Sequence, residues 1–277
     1  MSEKSTDSKT EEVPPNPFFQ KKKVVHRIDT EEVSIRLFVE PSTIEGAPVL
    51  IGFPNIGLTP VLTSNYLVEE LDLALIGTIA PEDMASTAVV SHKGQPCHAI
   101  RIFGDKRIVI ICSELKIPDK LINSLSASLV DFCSQMKTSM IWCAEGVPVE
   151  KVDQIEREEL QYLTTCSTMG DKLSSNGHTV LHDAVLAGVT GGIVSEVVDC
   201  GTPINLTCLL APTSSFYPDA WASVMVIRVL DSMYETWESD TTRLEKSASK
   251  LEKTVKKMMS NNLRRSQGSS YHNSMYN

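Results

Sequence analysis

Short, uninterrupted apolar runs recur along this chain: APVLIGF, LALIGTI, KRIVIIC, SMIWCA and INLTCLLA. Segments with apolar residues at helical spacing lie between most of them. A strand made almost wholly of apolar residues has both faces covered, and the intervening helices supply the cover. The pattern therefore predicts an α/β layered domain.

Around those runs the punctuation is local. Val33, Ile35, Leu37 and Val39 alternate with Ser34, Arg36 and Phe38, which predicts a half-buried strand at or near a sheet edge. After APVLIGF, the residues Pro54, Asn55 and Gly57 turn the chain. Leu58, Val61, Leu62, Leu67, Val68 and Leu71 then predict a helix, so that APVLIGF, this helix and LALIGTI read as a β-α-β unit. CHAIRIF and KRIVIIC flank Gly104 and Asp105 as a hairpin. Pro118 or Asp119 opens an amphipathic helix carrying Leu121, Ile122, Leu125, Leu129, Val130 and Phe132. Further along, Val152–Arg157 reads as a short helix, LQYLTT as a strand and Ser167–Asn176 as a helix stopped by Gly177. Val189–Val198 and the segment beginning at Asp219 and running through Tyr234 are again helical.

Charge and cysteine content exclude several classes. A formal net charge of −9 opposes general affinity for nucleic acid. The charge is uneven, because Thr241–Arg265 holds eight basic residues against Glu245 and Glu252. Such a stretch is either a solvated helix face or a means of steering toward an acidic partner. The seven cysteines, Cys97, Cys112, Cys133, Cys143, Cys166, Cys200 and Cys208, have no C-x-x-C spacing and read as reduced core residues. No apolar run reaches the roughly 18 residues needed to cross a bilayer, and the opening MSEKSTDSKTEEVPPNP holds no secretion signal, so the expected location is the cytosol, away from any membrane.

Candidate chemistry is sparse. The turn Gly52–Gly57 follows a buried strand, where open sheets bind phosphates, yet it lacks the glycine spacing of a dinucleotide site and the lysine of a P-loop. It reads either as a tight β-α turn or as a ligand loop. His178 and His182 would share a metal on a helix, whereas Gly177, Thr179 and Val180 favour a strand, in which positions four apart stand about 13 Å from each other. Gly188, Gly191 and Gly192 permit close helix packing or admit a ligand. None of these sets calls for a cofactor, a metal or a catalytic role. Leu244, Ala248, Leu251, Val255 and Met258 form a narrow helical seam, for the chain's own domain or for another helix. Met275, Tyr276 and Asn277 then end a polar Gly/Ser-containing stretch, SQGSSYHNS, with an apolar residue, an aromatic ring and a carboxylate. That combination suits insertion into a partner's pocket.

Taken in order, GFPNIG, NYLVEEL, ELKIP, AGVTGGIV and LLAPTSSFYPDAWAS resemble the archaeal type of proteasome assembly chaperone over about Val49 to Glu238. In that family the first turn more often reads Gly-x-Pro-Gly-x-Gly, where this chain has Asn55. The later motif carries an acid and a glycine where this chain has Ala211–Ser215, while Tyr217, Pro218 and Asp219 are retained. The resemblance implies a three-layer α/β sandwich similar to nucleoside phosphorylases, homo-oligomers, and no catalysis. It also implies a C-terminal hydrophobic-Tyr-X motif, matched by Met275, Tyr276 and Asn277, that docks between α-subunits of the proteasome core particle. A paralogous chaperone is a further candidate partner.

The expected organisation is a disordered segment over 1–23 and an α/β chaperone-like domain over 24–240. A basic helical extension over 241–265 and a flexible docking tail over 266–277 complete it. The expected function is a non-enzymatic proteasome assembly chaperone or adaptor. The alternatives are an activator of the mature particle, or an enzyme or small-molecule binder that uses Gly52–Gly57.

Overall fold

Four of the five apolar runs, all but LALIGTI, form the middle of a ten-stranded mixed sheet. The computed structural model describes residues 23–85, 89–92, 95–149, 159–199, 201, 203–234 and 239–249. In chain order the strands are β1 (His26–Asp29), β2 (Val33–Leu37), β3 (Val49–Gly52), β4 (Leu75–Pro81), β5 (Val89–His92) and β6 (Gln95–His98). They continue with β7 (Ile100–Gly104), β8 (Val109–Ser113), β9 (Ile141–Pro148), β10 (Gln161–Thr164), β11 (Thr179–Val180) and β12 (Leu206–Thr213). The helices are α1 (Thr59–Glu70), α2 (Glu82–Ala85), α3 (Ile122–Gln135), α4 (Ser167–Ser175), α5 (Gly188–Asp199) and α6 (Ala220–Met233). Residues 242–249 are helical as well.

Strand order is β1-β2-β4-β7-β8-β3-β9-β12-β10-β11, with β5 and β6 as a separate hairpin. The centre, β8-β3-β9-β12, is parallel, and the flanks are antiparallel except for the short β10-β11 pair. The parallel central strands are the buried apolar runs. β2, next to the edge strand β1, alternates buried and half-buried positions. The expected β-α-β unit exists as β3-α1-β4, but its strands are not neighbours: β7 and β8 lie between them. CHAIRIF divides at Ala99, its first residues joining the separate hairpin and its last pairing with β8.

Two cores result, one on each face. Beneath α3 and α5, Ile35, Leu37, Val49, Ile51, Ile111, Leu125, Leu129, Phe132 and Ile193 pack together. Beneath α1, α4 and α6, Trp142, Leu50, Ile110, Leu67, Leu173, Leu209 and Ile227 do the same. Burying each such side chain contributes about 1.5–3 kcal/mol. The expected helical stripe of α1 is partly right: Val61, Leu67 and Leu71 are buried, but Leu58 is 38% exposed. Thr63 and Ser64 face inward instead, because a Cβ on Gly52 would stand 1.9 Å from Ser64 Oγ. α1 sits so close to β3 that only small side chains fit between them.

The helix over 242–249 folds back onto the α1/α6 face. Leu244 and Ala248 are buried in that core, Tyr66 Oη donates to the Asp240 carbonyl at 2.5 Å, and Arg243 stacks over the Tyr66 ring at 5.3 Å while reaching Glu69 at 3.3 Å. Arg228 pairs with Glu245 at 3.0 Å. The first part of the seam thus packs on its own domain. Leu251, Val255 and Met258, the short helix expected at Val152–Arg157, the tail over 266–277 and nearly all of segment 1–23 lie outside the described residues.

The strand ends are held by close approach. A Cβ on Gly146 would lie 2.2 Å from the Ile56 carbonyl oxygen, and one on Gly57 would lie 2.1 Å from Thr213 Oγ1. Gly57 also has φ +67°, in the left-handed region. In contrast, a Cβ on Gly170 inside α4 meets nothing nearer than 3.4 Å. Gly146→Ala is therefore expected to cost about 3 kcal/mol, while Gly170→Ala gains roughly 0.5 kcal/mol from the lower entropy of the unfolded chain. Urea denaturation of both variants checks the opposite signs; equal effects would contradict the packing described.

Candidate functional site

Strand polarity gathers loops at one end of the sheet. The parallel strands β3, β8, β9 and β12 all finish there, and β10 begins there, since Gln161 pairs with Leu210. Asp219 fastens two of the loops. Its backbone N–H donates to the Gly57 carbonyl at 2.8 Å, its Oδ2 accepts from Ser214 N at 3.2 Å, and its Oδ1 accepts from the amides of Trp221 and Ala222 at 3.1 and 3.3 Å. One buried carboxylate thus caps α6 and ties the β12–α6 loop to the turn after β3. The segments GFPNIG and APTSSFYPD, far apart in sequence, are one structural unit.

Beside that unit lies a cleft of about 900 Å³. Its walls come from the turn after β3 (Phe53, Pro54, Asn55, Ile56), the loop after β8 (Lys116, Ile117, Asp119), the end of β9 (Glu145–Pro148), and Leu181 with Asp183–Thr190. An open α/β sheet binds ligands at this edge. Local bonds tighten the turn: Ile56 N donates to Asn55 Oδ1 at 2.5 Å and Leu58 N to the Asn55 carbonyl at 3.0 Å, while Pro54 has no N–H to give. Gly52–Gly57 is thus a tight β-α turn that also forms one rim of a cleft.

Glu145 is the residue that pattern alone did not single out. Along β9, Ile141, Cys143 and Glu145 point to the α3/α5 face, so a carboxyl group stands where the alternation calls for an apolar residue. Glu145 is only 6% exposed. Burial pushes its carboxyl up to about 7, and a hydrogen bond from Thr190, at the start of α5, offsets part of that rise. Such an acid sits at the midpoint of its titration near neutral pH, a property that concentrates at functional sites.

The remaining candidates fall elsewhere. His178 accepts from Leu160 N at 3.4 Å, just before β11, and His182 lies beyond it, so the pair does not share a helix. Among the described residues, no group of three or more His, Cys, Asp or Glu side chains gathers to hold a metal. Gly188 lines the cleft, whereas Gly192 serves packing: a Cβ there would stand 2.4 Å from Ser126 Oγ of α3. Cys112, Cys133, Cys143, Cys166 and Cys208 are free thiols, and all but Cys166 are buried. Met275, Tyr276 and Asn277 lie outside the described residues.

Burial of Glu145 has a sign that can be measured. The folded protein holds this proton to higher pH than the unfolded chain does, so its stability falls as pH rises from the ordinary value of 4.5 to about 7 and levels off above. The full loss is about 3 kcal/mol. Glu145→Gln cannot ionise, so it should match the wild type near pH 5 and exceed it by roughly 2–3 kcal/mol near pH 8. Urea titrations across that range check this; a gap that does not widen with pH would contradict the buried carboxyl.

Comparison with known proteins bears on the same region. Residues 49–259 match the PAC2 family. The fold is similar to that of Pyrococcus furiosus PbaA, an archaeal homolog of proteasome-assembly chaperone, with a TM-score of 0.73 at 23% identity, covering 89% of this chain and 100% of that one. It is also similar to P. furiosus PbaB, an archaeal proteasome activator, with a TM-score of 0.70 at 18% identity, covering 83% and 100%. An uncharacterized protein of Methanocaldococcus jannaschii is 23% identical over 233 residues, which are 82% of this chain and 92% of that protein. The family match takes in both loops joined by Asp219, the cleft beside them and the helix that folds back over α1 and α6: the chain belongs to the PAC2 family.

Proposed function

We propose that this chain is a non-enzymatic assembly chaperone or adaptor of the proteasome, acting in the cytosol as a homo-oligomer, alone or with a paralogous chaperone. In this reading Met275, Tyr276 and Asn277 dock between neighbouring α-subunits of the core particle. The observation that carries it is the pairing of a PAC2 body with an apolar-Tyr-X ending. A pocket between subunits would shield the Tyr276 ring from water, and a lysine in that pocket would pair with the terminal carboxylate. Only the backbone is needed at Asn277.

The described chain nearest the tail is packed on the body. The helix over 242–249 is held to α1 and α6 by buried Leu244 and Ala248 and by the Arg243 contacts with Tyr66 and Glu69. One short tail binds weakly, whereas several tails on a symmetric oligomer raise each other's effective concentration. Among the described residues no helix is long and apolar enough to cross a membrane.

A second reading, activation of the mature particle, is favoured by the likeness to the archaeal activator PbaB. Both readings use the same tail, and they differ in the particle that it meets. Removing residues 275–277, or making Tyr276→Ala, should lower capture of core particle in a pull-down by about tenfold or more while leaving the oligomer intact. Unchanged capture would refute the docking role. Peptide hydrolysis by mature particles, with and without the protein, then separates the two readings: a rise indicates an activator, and no change indicates assembly.

A further inference from the structure

The cleft at the strand ends is lined by residues between Phe53 and Leu210, none of them in the tail. Its volume, about 900 Å³, falls in the range that encloses most of a drug-sized molecule. Phe53, Ile117, Val147, Leu186 and Val189 make its walls largely apolar. Set into those walls is Glu145, 6% exposed.

A carboxylate has about four acceptor positions, and the Thr190 hydroxyl fills one. Among the described residues no basic side chain contributes to the shift of Glu145, for which burial and Thr190 are the causes. Lys116, the one basic residue among the described residues that line the cleft, lies 3.6 Å from Asp119, and both side chains are at least 80% exposed. Asp183, in the segment between β11 and α5, adds a further acid to the lining. Among the described residues the thiol of Cys143, two positions back on the same strand, also interacts with Glu145, and Cys143 in turn is hydrogen-bonded to Cys208 across the β9–β12 pair. The described part of the cleft therefore presents acid without a buried counter-charge. A phosphate or carboxylate ligand would meet repulsion there, whereas a cation would supply what Glu145 lacks.

We propose that this cleft binds a small amphipathic cation, an apolar body that packs against the walls and carries an amine or amidinium head that pairs with Glu145. Binding ionises the carboxyl: its proton leaves to solvent, and the ligand's charge takes its place beside the carboxylate. Affinity consequently rises with pH through the range in which free Glu145 titrates. The cost of keeping an acid buried is recovered only when the ligand is present.

Calorimetric titration of the full-length protein with 4-phenylbutylamine, 4-phenylbutanol and 4-phenylbutyrate tests this, since the three probes share a body and differ in the head. The amine should bind tightest, and its affinity should drop about tenfold from pH 8 to pH 6. Glu145→Gln should erase the preference for amine over alcohol. Ala187→Trp, an exposed substitution at the cleft mouth, should block all three probes without lowering the melting temperature. The proposal is overturned if the butyrate binds as well as the amine, if Glu145→Gln leaves the preference intact, or if the amine fails to saturate at millimolar concentration. None of these outcomes depends on residues 275–277, so the tail and the cleft stand or fall separately.

Discussion

The near-contact of three backbone segments at the strand ends is the constraint that organises this molecule. A Cβ placed on Gly146 would stand 2.2 Å from the Ile56 carbonyl oxygen, and one on Gly57 would come equally close to the Thr213 hydroxyl. With side chains at those two positions the turn after β3 and the β12–α6 loop would be forced apart. Asp219 could then no longer reach Gly57 and Ser214 together while capping α6. The cleft exists because that junction is tight: it fixes Phe53 to Ile56 on one side and the end of β9 on the other.

Most of the layered architecture is legible from the residues. Runs such as IVIIC and MIWCA are apolar at every position because helices cover both faces of β8 and β9, and that signal needs no knowledge of partners. Strand order is not legible. Nothing local in LALIGTI shows that β7 and β8 separate β4 from β3, since the pairing with β2 and β7 is decided by the whole sheet. β1 escapes detection because HRID, at an edge, has too few apolar positions to display a period. The first half of the Leu244–Met258 seam illustrates the same limit: spacing reveals a stripe, and only packing reveals what covers it.

The site is less legible than the fold. GFPNIG and APTSSFYPD can be singled out as turns, but their union through Asp219 is a tertiary fact. Glu145 does carry a signal, an acid at the inward parity of a strand whose other inward positions are Ile141 and Cys143. A buried acid with no basic partner among the described residues weakens the fold once ionised, so its presence directs attention to a ligand that would offset the cost. The tail poses the opposite problem: its three residues are informative only in chemistry, as ring, apolar side chain and carboxylate.

In the proposed reading the work is divided between a PAC2 body, onto which Arg243 is packed through Tyr66 and Glu69, and a short ending that enters a pocket elsewhere. The central claim is that Tyr276 meets the proteasome and not its own chain. A photo-crosslinking amino acid placed at position 276, irradiated in the presence of core particle, tests this most directly. The account predicts crosslinks to two neighbouring α-subunits, lost when residues are added after Asn277. Crosslinks confined to the protein's own chain would contradict it.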